Sequence, residues 1–147
     1  MSHVVTLTVS IRDLTALKTA CTKLGLEFKE GQETYKWFGK HVGDYPLPKG
    51  FTKEDMGKCL HAISVKGNKN AYEIGVVKRR DGEPGYTLMF DFWAGGGGLM
   101  AAVGQGCGKL VQGYTKEVTI QEAKDMGFFV EEKQLDDGTV ELYLTEG

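Results

Sequence analysis

YTLMFDFW, residues 86–93, alternates Tyr86, Leu88, Phe90 and Phe92 against Thr87, Met89, Asp91 and Trp93, the two-residue period of a β-strand. Upstream, AYEIGVVKRR (71–80) is a second β-rich run, and DGEPG (81–85) between them carries the glycine and proline of a turn. The two runs therefore predict a hairpin. CLHAISVKG (59–67) is a less regular strand, with Leu60, Ala62, Ile63 and Val65 as its apolar positions. VVTLTVSI (4–11) opens the chain with Val5, Leu7, Val9 and Ile11 set against Thr6, Thr8 and Ser10.

Helical spacing interrupts the strands twice. Asp13 can cap LTALKTACTKLG, in which Leu14, Leu17, Cys21 and Leu24 share a face and Gly25 stands where a helix terminates. LEFKEG (26–31) follows as a short strand, so the chain begins β-α-β. TIQEAKDMG (119–127) predicts a second helix with Thr119 as cap, Glu122 three positions on, and Gly127 as terminator. FFVEEKQLDDGTVELYLTE then predicts a closing hairpin turning at Asp137-Gly138. The expected class is α+β: a single domain over residues 1–147, with a mainly antiparallel sheet of five to seven strands and two main helices.

Residues 31–57 break every period. They hold all but one of the chain's prolines, and their aromatics (Tyr35, Trp37, Phe38, Tyr45, Phe51) argue for a packed flap rather than a disordered linker.

Composition narrows the function classes. The chain has 147 residues, 41% hydrophobic and 26% charged, with a formal net charge of −2. That balance lacks the basic excess of a double-stranded nucleic-acid binder. No apolar window reaches a membrane span, and MSHVVTLTVSIRD has no signal-peptide pattern, so a cytoplasmic protein with no membrane contact is expected. Cys21, Cys59 and Cys107 lie far apart and predict reduced thiols. His3, His41 and His61 form no ligand motif; neither a metal nor a cofactor is expected.

The unusual segment is FWAGGGGLMAAVGQGCGKLV (91 excluded, 92–111). GQGCGK (104–109) lacks both the spacing and the Ser or Thr of a nucleotide-binding P-loop. Leu99, Met100, Val103, Cys107, Leu110 and Val111 instead fall on one helical face, on which Gly104, Gly106 and Gly108 would permit close packing against the sheet or a second copy. Gly95, Gly96, Gly97 and Gly98 precede that helix, where free N–H groups can take an anion. Lys78, Arg79 and Arg80 could add charge, and Tyr86 and Trp93 aromatic faces for a base. A buried Asp91 could serve as a base, and His61 stands two residues from Cys59, but no catalytic set is complete.

The opening through LEF (1–28), YEIGVV (72–77), YTLMFDFW, Tyr114 and AKDMGFFVEEKQLDDGTVELYL (123–144) resemble a family catalogued as hypothetical chloroplast open reading frame 35, with members in plastids, cyanobacteria, other bacteria and phages. The resemblance implies a small α+β protein without an established reaction. AGGGGLMAAVGQGCG departs from it, replacing an ordinary polar helix, and residues 31–57 lie outside it.

The leading expectation is a non-catalytic, homo-oligomeric binding protein for a small anionic or nucleotide-type ligand, of the kind by which a phage sequesters a nucleotide immune signal. The alternatives are an adaptor for an ATPase or other partner, docking through 31–57, and a nucleotide hydrolase using Asp91 or His61.

Overall fold

The computed structural model describes residues 2–7, 9–137 and 139–146. Tyr86–Asp91 is β5, second in a five-stranded antiparallel sheet that it enters as the hairpin partner of Ile74–Lys78 (β4). Its other neighbour is Val4–Thr6 (β1), and His61–Val65 (β3) and Leu26–Lys29 (β2) complete the order β1-β5-β4-β3-β2. Phe128–Gln134 (β6) and Val140–Glu146 (β7) form a separate two-stranded sheet. The expected α+β class holds, with seven strands divided between two sheets. Residues flanking Asp137-Gly138 do pair as a hairpin, although Gly138 itself lies outside the described residues.

The opening strand is shorter than its alternation predicts. Regular pairing ends at Thr6, and the chain rejoins the sheet through a single bridge from Ile11 to Tyr86. Val9 turns into solvent between them, which breaks the alternation, and Thr8 lies outside the described residues.

β5 is buried on both faces, because the sheet has a layer on each side. Leu88 and Phe90 join Ile63, Ile74 and Val76 beneath the helices. Those helices are Leu14–Lys23 (α1), Leu99–Val103 (α2) and Gly108–Asp125 (α3). On the opposite face Met89, Val77, Ala62 and Val4 pack against Tyr35 and Met56 of the irregular segment. Glycine makes that second layer possible. A Cβ at Gly75, in mid-strand, would stand 2.5 Å from the Tyr35 ring, and one at Gly57 would strike the Trp37 indole. A glycine inside a strand marks such a close approach.

The start of α1 follows the expected cap: Asp13 Oδ1 accepts the Ala16 N–H at 3.0 Å. A second support comes from α3. The Tyr114 hydroxyl accepts the N–H groups of Arg12 (3.0 Å) and Asp13 (3.2 Å), fastening the β1–α1 junction to the other helix. Tyr114→Phe leaves both donors without this acceptor and is expected to cost about 1–3 kcal/mol in urea unfolding. Loss of less than a few tenths would show that water replaces the hydroxyl.

Two helix expectations are corrected. Thr119 is not a cap: it lies inside α3, its hydroxyl donating to the Thr115 carbonyl at 2.9 Å. The helix starts at Gly108 because Leu110 and Tyr114 continue its buried face upstream. Nor is 99–111 one continuous helix. Gly104 (φ 83°, ψ 159°) ends α2, and Gly106 and Cys107 take left-handed values before α3 begins. Leu99, Met100, Val103, Cys107 and Leu110 are nevertheless all buried, so the apolar face survives the break. Within the chain nothing stands where a Cβ on Gly106 or Gly108 would lie, and the break means that Gly104, Gly106 and Gly108 do not share one helix.

Candidate functional site

Four consecutive residues, Ala94 to Gly97, have φ between 51° and 73° and ψ between 7° and 34°, one turn of left-handed helix. An L-residue in that conformation costs roughly 1–2 kcal/mol, so three of the four being glycine is what makes the turn affordable. The turn is packed as well as wound. A Cβ on Gly96 would stand 3.1 Å from the Asp91 carbonyl oxygen, and one on Gly97 2.5 Å from the Asn70 carbonyl oxygen. The Gly96 carbonyl accepts the Tyr72 N–H (2.8 Å), and that of Gly97 accepts the Asn68 side-chain amide (3.1 Å). The helix that follows is only Leu99–Val103. The run therefore docks the 68–72 loop, which is a packing role.

That loop borders a groove of about 460 Å³ whose rim carries Lys29, Lys36, Lys66 and Lys69 with Glu27 and Glu73. Part of this charge is engaged within the fold. Lys29 Nζ lies 3.3 Å from Glu73 Oε2, while Glu73 Oε1 accepts the Lys36 N–H and the Gln32 amide. Lys36 Nζ donates to the Lys69 carbonyl at 2.7 Å. None of these lysines stood out in the sequence; VKGNKN (65–70) was their only local signal.

Arg79 and Arg80 lie elsewhere, at the far end of β4, beside a groove of about 480 Å³ lined also by Thr6, Lys49, Phe51, Asp81 and Thr87. Arg80 is centred 4.6 Å over the Phe51 ring. Its Nη1 is 3.3 Å from Asp55 Oδ2 and 3.4 Å from the Gly50 carbonyl, contacts that hold the guanidinium over the ring. The Thr52 N–H, followed by the Arg80 guanidinium, holds the Asp55 carboxyl below its ordinary range. Arg79 forks onto Asp81, whose carboxyl its hydrogen bonds bring down to about 2. A second groove of about 390 Å³ shares Phe51 and Arg80 with this one and adds Lys58 and Lys78. Lys49, Lys58, Lys78, Arg79 and Arg80 thus line two grooves that share Phe51, together with Asp55 and Asp81, to which the two arginines are paired. Phe51 and Lys49 were missed as site residues because PLPKGFTKED (46–55) has no period to place it.

The expected residues do not assemble into one site. Trp93 and Gly95–Gly98 follow the C-terminal end of β5, whereas Tyr86 begins it, about 20 Å away at strand rise. Tyr86 shares the helix-side face with Leu88 and packs at the rim of that core, 6.3 Å from the His61 ring. Trp93 joins an aromatic cluster in which His3 stacks on Tyr45 (4.7 Å) and stands edge-on to Trp93 (5.1 Å). The sequence candidates fall into two groups: Lys78, Arg79, Arg80 and Tyr86 at one end of the β4–β5 pair, where Lys78 lies directly across from Tyr86, and Trp93 with Gly95–Gly98 at the other.

Asp91 is fully buried. Oδ1 accepts the N–H groups of His3 (2.9 Å) and Trp93 (3.0 Å), and Oδ2 that of Phe38 (3.2 Å). Both oxygens are engaged in holding backbone segments together. His61 Nδ1 accepts the Gly31 N–H at 2.9 Å, and Cys59 Sγ donates to the Gln32 carbonyl at 3.1 Å, so these two side chains bond backbone rather than each other. Burial pushes the thiols of Cys21, Cys59 and Cys107 up to about 12. The thiolate is the reactive form. Ellman's reagent at mildly alkaline pH is accordingly expected to leave all three thiols untouched until denaturant is added; a fast native-state phase would contradict it.

Among the described residues no group of three or more His, Cys, Asp or Glu side chains is placed to hold a metal ion, and no helix is long and apolar enough to cross a membrane. Compared with known proteins, the chain matches no family model, no curated protein and no solved structure.

Proposed function

We propose that this is a non-catalytic binding protein for a small anionic ligand of nucleotide type, taken up in the paired grooves at Phe51. The observation that supports the reading is that five cations line two grooves sharing Phe51, over whose ring Arg80 sits, in a chain whose net charge is negative. The Arg80 guanidinium on Phe51 makes a planar platform on which a base can stack. Lys49 and Arg79 border the same groove, where phosphate oxygens would lie, a phosphate taking the Arg79 guanidinium fork in exchange for Asp81. The hydrolase alternative draws no support from Asp91 and His61, whose lone pairs are committed to backbone donors. Binding without turnover suits sequestration of a nucleotide signal.

Calorimetry against nucleoside mono- and triphosphates and cyclic dinucleotides tests the proposal. Arg80→Ala is expected to weaken the best of these by about 1.5–3 kcal/mol, the value of a charged hydrogen bond, and Phe51→Leu to weaken it while preserving apolar packing. Trp93→Phe, at the far end of β5, is expected to leave affinity unchanged. If no nucleotide binds at millimolar concentration, or Arg80→Ala binds equally well, the reading is wrong.

A further inference from the structure

The irregular segment covers only part of its side of the main sheet. Ala62 on β3 packs beneath it, and Ser64, two residues on, faces the same way. Glu27 lies directly across from Ser64 on β2. Both line the groove of about 460 Å³ beside the 68–72 loop, a volume suited to a small molecule.

The loop that carries lysines to this groove is held from several directions. Asn68 Oδ1 accepts the N–H groups of Asn70 (3.0 Å) and Ala71 (3.2 Å), and its amide donates to the Gly97 carbonyl (3.1 Å) of the left-handed turn. Lys36 Nζ holds the Lys69 carbonyl at 2.7 Å. Lys66 and Lys69 therefore stand on a fixed backbone, which leaves less to be ordered on binding. Among the described residues neither lysine is paired with a carboxylate, and Glu27 is paired with no cation.

The lining decides the chemistry. A lysine ammonium is a point charge with three donors, suited to phosphate. No aromatic side chain lines this groove, so it has no face for a base, unlike the Phe51 grooves at the other end of β4. Beside the lysines it offers the Glu27 carboxylate and the Ser64 hydroxyl, which pair with ligand hydroxyl groups.

We propose that this groove binds a small, soluble phosphorylated polyol, its phosphate on Lys66 and Lys69 and its hydroxyls on Glu27 and Ser64. The site is separate from the Phe51 grooves and does not depend on the reading given to them. The glycine run then serves it indirectly, by fixing the lysine-bearing loop at the rim.

Amide NMR of the whole protein tests the site, with glucose 6-phosphate, glycerol 3-phosphate, glucose and inorganic phosphate as probes. At millimolar concentration one or both phosphorylated polyols are expected to shift the amides of residues 64–70, and glucose to shift none. Inorganic phosphate is expected to bind roughly tenfold or more weakly, since it lacks the hydroxyl contacts. Lys66→Gln with Lys69→Gln is expected to lower affinity for the better polyol roughly tenfold or more. Glu27→Ala is expected to weaken the polyol but not inorganic phosphate, a split that damage to the fold does not produce. Arg80→Ala is expected to change neither. Absence of any shift at 64–70 with both polyols overturns the proposal, as does undiminished binding by the double lysine variant. Inorganic phosphate binding as tightly as the polyols makes this a plain ion site and overturns it too. Loss of the shifts in Arg80→Ala places the ligand in the Phe51 grooves instead. Tighter binding to phosphatidylcholine vesicles carrying a phosphoinositide makes the occupant a lipid headgroup and overturns the soluble ligand.

Discussion

Asp91→Ala is expected to lower stability by at least ~3 kcal/mol, and to leave the protein unfolded if its total stability is at the low end for domains of this size. The substitution strands three N–H groups, those of His3, Phe38 and Trp93, around a buried void. Unpaired buried donors cost about 1–3 kcal/mol each where water cannot reach them. Asp91→Asn should fall between: its oxygen still serves His3 and Trp93, while its amide opposes the Phe38 N–H. Urea midpoints for wild type, Asn and Ala, read by far-ultraviolet dichroism, should rank in that order. An Ala variant within 1 kcal/mol of wild type would mean that water enters and replaces the carboxylate.

Gly97→Val is the second large effect. The added Cβ meets the Asn70 carbonyl oxygen at 2.5 Å, in a backbone conformation that a β-branched residue resists. A loss of about 3 kcal/mol or more is expected from strain and clash together. Gly95→Ala makes the control, because that glycine has the same handedness and open space around it. It should cost about 1–2 kcal/mol, the conformational part alone. Equal losses at the two positions would remove the packing argument. If instead Gly97→Val melted like wild type but lost nucleotide binding, the run would be a ligand cradle after all.

The strands were legible because their apolar residues alternate or cluster between turn signals, and α1 because Asp13 and Gly25 bracket it. The start of α3 was not. Thr119 and Glu122 imitate a cap locally, and only the burial of Leu110 and Tyr114 against α1 and the sheet shows that the helix is already under way. The glycine run had the same difficulty. Its residues announce backbone freedom, but the left-handed turn exists because Asn68, Asn70 and Tyr72 close against it from a distant part of the chain. The Phe51 grooves were half legible: Lys78-Arg79-Arg80 is a visible cationic run, whereas Lys49 and Phe51 reach it only through a segment with no period at all.

The position of β1 has a consequence for the order in which the chain can assemble. Val4 pairs with Asp91, 87 positions away, whereas Lys78 pairs with Tyr86, 8 away. Loop-closure entropy puts the first pairing about 2 kcal/mol behind the second before any contact is rewarded. On the ribosome β1 is thus made well before it can be placed, since its seat does not exist until residue 91 has emerged. Until then one long edge of β5 is open, and the three amides that Asp91 will gather have nothing to close upon.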